Sequence, residues 1–125
     1  SFPCAHSLRA SRYGNVRVAE VLIRHGADVN GASVDGTTPL MRAGGNSQGG
    51  TAALLVAHGA DLATVRKDGQ TALAIAAGAG AEAVVQLLAD KSFETVNFTD
   101  TDGRTPLMQA AMKGHLGCAA LLLSR

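Results

Sequence analysis

The stretch DGTTPLM, from Asp35 to Met41, returns as DGQTALA from Asp68 to Ala74 and again as DGRTPLM from Asp102 to Met108. The threonine at the fourth position of each copy stands 33 residues from the next in one interval (Thr38 to Thr71) and 34 in the other (Thr71 to Thr105). A self-similarity at this period is the signature of a solenoid, in which each unit is one supersecondary element that cannot bury its apolar face alone. The spacing therefore decides the architecture before any local propensity is considered.

Local chemistry supplies the elements of one unit. Thr38, Thr71 and Thr105 are suited to cap helices, their side-chain oxygens accepting an orphan backbone N–H. Pro39 and Pro106 then take the first helical position, where a missing N–H costs nothing. Short helices are predicted to start at about 39, 72 and 106 and to end near Gly14, Gly80 and Gly114 through left-handed caps. Second helices follow at roughly 16–25, 49–58, 82–90 and 116–124. The Asp-Gly steps at Asp35, Asp68 and Asp102 predict type I′ turns at projecting fingertips. Small residues in the first helices (Ala43, Ala76, Ala77, Ala110, Ala111) permit close stacking, and the leucine pairs Leu54-Leu55, Leu87-Leu88 and Leu121-Leu122 fill the space between units.

These units resemble the ankyrin repeat, a β-turn followed by two antiparallel helices. The resemblance rests on D-G-x-T-P-L-x-x-A-A, an apolar helix with paired leucines, and Gly-Ala-Asp at Gly26 and again at Gly59, 33 residues on. The expected fold class is an all-α ankyrin-repeat solenoid: a single domain over 1–125 with repeats at approximately 1–32, 33–65, 66–99 and 100–125, the first degenerate. Stability is then a sum over units and nearest-neighbour interfaces. With a first repeat lacking the Asp-Gly turn, and with no closing finger after Arg125, the chain reads as part of a longer polypeptide.

Composition narrows the function classes. A core of 46% hydrophobic but only 3% aromatic residues must be built from Ala, Leu and Val. A net charge of +1 offers no clustered basic face for nucleic acid or anionic lipid. No apolar run reaches the roughly 18–20 residues needed to cross a bilayer, and the N-terminal SFPCAHSLRAS lacks the charged-then-apolar order of a signal peptide. A cytoplasmic or nuclear location is expected. Cys118 reads as a core residue, and Cys4 lies too far away in the stack for a disulfide, whose Cα atoms stand within about 7 Å.

No residue pattern here carries catalysis. His25 and His58 are equivalent positions in adjacent repeats, but stacking separates such positions by about 10 Å, whereas two ligands on one zinc must each reach within about 2.1 Å of it. They read as solvated loop residues. Cys4 with His6 lacks a third group to orient it. No phosphate loop, metal-spaced cluster or Gly-x-Ser-x-Gly elbow occurs, so the chain reads as non-enzymatic, with no cofactor and no metal.

The remaining class is recognition. The resemblance implies a protein or peptide ligand on the concave face made by the fingertips and the exposed side of the first helices. Carried over by position, that face comprises Asp35, Thr37, Met41, Arg42 and Asn46 from the second repeat, and Lys67, Asp68, Gln70 and Ile75 from the third. The fourth supplies Asp102, Arg104, Met108, Gln109, Met112 and Lys113, and the first supplies Arg12 and Tyr13. Tyr13 is the only Tyr and there is no Trp, so it is the favoured anchor. Arg42 and Arg104 offer charge-assisted contacts to an acidic or C-terminal carboxylate partner. Met41, Ala74 and Met108 replace the family's usual His, which predicts a softer, more apolar groove able to take an amphipathic helix or an extended peptide, unless the Met side chains fill gaps between fingers. The alternative is a regulatory or targeting block of a larger enzyme or channel, packed against its other domains.

Two departures from the repeat stand out. GGNSQGG, Gly44 to Gly50, places glycines in helices and predicts that repeat two is the loosest interior unit. DKSFETVNF, Asp90 to Phe98, lacks the Gly-Ala-Asp turn, and Phe93 is expected in the slot that Ala27 and Ala60 hold elsewhere, or else as an exposed aromatic knob.

Overall fold

The computed structural model describes residues 16–26 and 28–124, with only the backbone described for Val18 and Leu22. Seven α-helices lie within them: α1 (Val16–Arg24), α2 (Pro39–Gly45), α3 (Gly49–Ala57), α4 (Ala72–Ala79), α5 (Glu82–Lys91), α6 (Pro106–Met112) and α7 (Leu116–Leu123). A 3-10 turn, Phe93–Asn97, follows α5, and no strand occurs among the described residues.

Each first helix begins where its threonine dictates. Thr38, Thr71 and Thr105 accept the N–H of Met41, Ala74 and Met108 at 3.3, 3.2 and 3.3 Å, all three in extended conformation. The helices then stop in the same way. Gly80 and Gly114 take positive φ, and paired bonds close each end, from Gly80 N to Ala77 O and Ala81 N to Ala76 O in α4. Repeat two reproduces this Schellman geometry without a glycine, because Ser47 occupies the slot at φ 57°. The corresponding Gly14 lies outside the described residues.

The helices form two layers. α2 packs on α4 and α4 on α6, while α1, α3, α5 and α7 line up behind them. Leu40, Leu55, Leu73, Val84, Val85 and Leu88 are fully buried between the layers with the alanines of the first helices. Cys118 is enclosed there as well, and burial, with the Glu82 charge as the lesser cause, pushes its thiol up. Asn30 ties the first junction, its Oδ1 accepting the Asp61 N–H at 2.7 Å.

The fingers differ from expectation in one respect. Only the glycine of each Asp-Gly pair has positive φ (Gly36, Gly69 and Gly103), so the turns are not type I′. Bonds from Gly36 N to Ser33 O and from Ser33 N to Thr37 O enclose a three-residue loop, Val34 to Gly36, ending in a left-handed glycine, and both other fingers repeat it. One more residue in the loop moves the Asp to a position any L-residue accepts. Adjacent fingers are joined by Lys67 N to Asp35 O and Thr101 N to Asp68 O.

A second correction concerns Phe93, which is 56% exposed and does not fill the alanine slot. Gly59 turns the chain into Ala60 at φ 89°, but the residue before Phe93 is Ser92, at φ −141°. Without the left-handed step the chain enters the 3-10 turn, Thr95 is buried instead, and Phe93 swings outward.

Candidate interaction surface

The fingers and the C-terminal halves of the first helices enclose a trough running from repeat two to repeat four. It consists of two adjoining hollows of about 270 and 330 Å³, and Gly45, Arg66 and Ile75 line both. Register explains the depth: Gly45 of α2 and Gly78 of α4 are equivalent, 33 residues apart, so the floor carries no side chains there. The same slot in α6 holds Met112, more than half exposed, where the glycine floor ends.

Arg66 stands over the middle of this trough. Its Nε donates to Asp68 Oδ1 at 3.1 Å and its Nη2 to Oδ2 at 2.7 Å, a bidentate pair that fixes the guanidinium plane. The bond to Arg66 holds the Asp68 carboxyl below the usual carboxylate range, and the reciprocal bond raises Arg66. Among the described residues only one edge of the guanidinium is hydrogen-bonded, with no bond to Nη1, and the Asp35 charge acts on the group as a lesser influence. Asp35 is committed elsewhere: its Oδ1 accepts from Ser33 Oγ, from Thr37 Oγ1 at 2.7 Å and from Thr37 N at 3.1 Å, which holds its carboxyl far below the usual range. Arg42 lines the first hollow with its Nε shielded from solvent and unpaired. Lys113 lines the second and makes no ion pair among the described residues.

The residues expected on this face separate into three groups. Arg42, Asn46, Gln70, Ile75 and Lys113 line the trough, while Lys67 and Asp102 are exposed at the fingertips. Arg104 is also exposed, but it lines neither hollow and lies 3.8 Å from Asp102, whereas Arg66 lines both. Met41, Thr37 and Gln109 also line the hollows, but as buried side chains. Met41 is 1% exposed, with its Sδ accepting the Thr38 N–H at 3.5 Å, so it borders the first hollow while presenting almost no surface to it. Thr37 is buried and donates to Asp35, and Gln109 is buried with its amide on Asp100 Oδ2 at 2.9 Å. Asp35, which lines the first hollow, and Asp68 each hold carboxylate oxygens in bonds within their own turns. Arg12, Tyr13, Cys4 and His6 lie outside the described residues.

Met108 behaves unlike its equivalents. Met41 and Ala74 are covered by the following helix pair, whereas Met108 is 49% exposed, and Leu116 and Leu123 are also exposed on the α6–α7 flank. Beside them Phe93, Leu107, Leu122 and Leu123 line an apolar hollow of about 340 Å³. His25 and His58 are exposed, and among the described residues no three His, Cys, Asp or Glu side chains converge to hold a metal ion. No described helix is long and apolar enough to cross a membrane.

Sequence comparison matches a family model of ankyrin repeats in three copies to residues 50–125, and a single ankyrin-repeat model to residues 6–33. No curated protein matches the chain.

Proposed function

Because the chain belongs to the ankyrin-repeat family, whose members are generally protein–protein interaction modules and typically not catalysts, we propose that it binds a protein or peptide partner in the trough, as a scaffold or adaptor. The observation that carries this reading is the continuous trough over repeats two to four, lined by Arg42, Arg66, Ile75 and Lys113 and rigidly backed by the stacked helices. Function of this kind sits on surface positions that stacking leaves unconstrained. A cytoplasmic or nuclear setting belongs to the same proposal. The test is capture of partners by the chain, by an Arg42→Glu/Lys113→Glu variant, and by a control altered on the opposite layer, Gln86→Glu/Lys91→Glu. Loss of the same partners with the first variant alone is expected; equal recovery by all three removes the reading.

A second reading, a regulatory or targeting block packed against other domains of an enzyme or channel, draws support from the exposed Met108, Leu116 and Leu123. Hydrogen exchange comparing this segment alone and within a longer parent polypeptide would test it. Protection of α6 and α7 only in the parent is expected, and identical protection refutes it.

A further inference from the structure

The charges that line the trough are one-sided. Of the four charged side chains that line its walls among the described residues (Asp35, Arg42, Arg66 and Lys113), three are cations, and the one anion, Asp35, stays ionised with its Oδ1 engaged by three hydrogen bonds from its own finger. Asp68 orients Arg66 through its Nε–Nη2 edge, and among the described residues nothing bonds to Nη1, so the Nη1–Nη2 end of the guanidinium is left for a ligand in the middle of the trough. Arg42 stands on the repeat-two side of this end with a shielded, unpaired Nε, and Lys113 stands on the repeat-four side.

The floor has room for a main chain, and internal packing does not account for that room. Neither Gly45 nor Gly78 has positive φ. A Cβ on Gly78 would meet nothing closer than Gln109 Cβ at 3.8 Å, and one on Gly45 only Ile75 Cγ2 at 3.4 Å. Gly44 is the contrast, because a Cβ there would press on Ala76 Cβ at 3.3 Å and Ala72 O at 3.4 Å. Glycine in a helix lowers its stability, so what Gly45 and Gly78 provide is close approach from the trough side.

We propose that the trough takes an extended acidic peptide segment, its main chain lying over Gly45 and Gly78 and a carboxylate of the segment paired with the Nη1–Nη2 end of Arg66, between Arg42 and Lys113. This rests on the reading of the trough as the partner site and adds the chemistry of the partner. A carboxylate matches the planar guanidinium edge in a bidentate pair, and a preset guanidinium loses less freedom on binding. A peptide is favoured over a nucleic acid because, among the described residues, no aromatic side chain lines the trough on which bases could stack.

The test pans a display library of random twelve-residue peptides against the whole chain, then measures the recovered peptides by fluorescence polarisation. Enrichment of Asp and Glu is expected, with at least a tenfold loss of affinity when those residues become Asn and Gln. Gly78→Met, which puts in repeat three the residue that repeat four carries at that slot, should abolish binding while the thermal unfolding curve is kept. Lys113→Glu, at an exposed position, should weaken binding at least fivefold and provides the readout if Gly78→Met unfolds. Recovery of neutral or basic peptides that Gly78→Met blocks would overturn the acidic assignment and leave the trough as the partner site. Peptides indifferent to Gly78→Met and Lys113→Glu would remove both readings. Failure to recover any peptide, or equal competition by a twelve-residue oligothymidylate, would also overturn the proposal.

Discussion

Replacing Thr51 by Val, which exchanges a hydroxyl for a methyl group of nearly the same size, should make the protein more stable. Thr51 is fully buried in α3, and its Oγ1 has no hydrogen-bond partner among the described residues. The equivalent slots in the next two repeats hold Val84 and Cys118, both fully buried and both free of a strong donor. Thr and Val have nearly the same shape, so the exchange keeps the packing and removes the desolvation cost of an unsatisfied hydroxyl, about 1–2 kcal/mol. With an unfolding entropy of about 2.1 cal/mol/K per residue, a chain of this length changes by ~0.26 kcal/mol per degree, so Tm should rise by roughly 4–8 °C. Thr51→Ser is the control: it keeps the hydroxyl, loses the methyl and should cost about 1 kcal/mol. The mirror change, Val84→Thr, should destabilise by about 1–3 kcal/mol. Urea unfolding followed by circular dichroism measures all three, and an unchanged m-value confirms that the same cooperative unit is reported. A Tm for Thr51→Val at or below that of the parent would refute the reasoning, and would mean that the hydroxyl is satisfied in solution.

Four further outcomes follow from the same geometry. Ser47→Gly should raise stability by up to about 1 kcal/mol, because it relieves a left-handed residue at a slot where Gly80 and Gly114 stand; a lower urea midpoint would contradict this. Gly69→Ala should destabilise distinctly more than Gly103→Ala: both glycines have positive φ, but a Cβ on Gly69 would also strike Thr101 N at 2.8 Å, whereas nothing lies within 4 Å of one on Gly103. Equal Tm losses would dismiss the finger contact. Asp35 has a depressed folded-state pKa caused first by the Ser33 and Thr37 hydroxyls, so its contribution is complete above the unfolded value of about 4 and is lost as the pH falls below it. Asp35→Asn should therefore flatten the acid limb of a stability–pH curve between about pH 4 and 2, and an unaltered limb would exclude Asp35 as a contributor. Amides of α2 and α3, whose sequences hold four glycines, should exchange faster than those of α4 and α5, and equal protection would show that the tight seat of Gly44 against Ala76 offsets the glycine cost.

The helix pattern was legible because its determinants are local. Thr38, Thr71 and Thr105 each satisfy an N–H three residues ahead, and Gly80 and Gly114 each close a helix with bonds to the turn before. These events need no information from a neighbouring repeat. The finger turns were misassigned because the Asp-Gly pair is compatible with two loop lengths. The choice between them is made by the bond from Ser33 N to Thr37 O, one residue wider than a type I′ hairpin. Phe93 was misplaced for a related reason: a slot defined by position in a repeat holds only while the backbone enters it through a left-handed glycine, and Ser92 does not.

The trough was less legible because exposure in a stack is decided by the adjacent unit. Met41 and Met108 occupy the same repeat position, with the same cap and the same preceding Thr-Pro-Leu, yet one is 1% and the other 49% exposed. Thr37 and Gln109 are consumed by Asp35 and Asp100, side chains that a single-position comparison does not weigh. Arg66 escaped notice because its slot holds Ser33 and Asp100 in the other repeats, and no repeat pattern demands a cation there. Its signal was the i, i+2 spacing to Asp68, since the three-residue finger loop turns those two side chains toward each other. The same reasoning applies to Gly45 and Gly78. Read one helix at a time they are weak helix formers, and only their alignment across the stack makes them the floor of one trough.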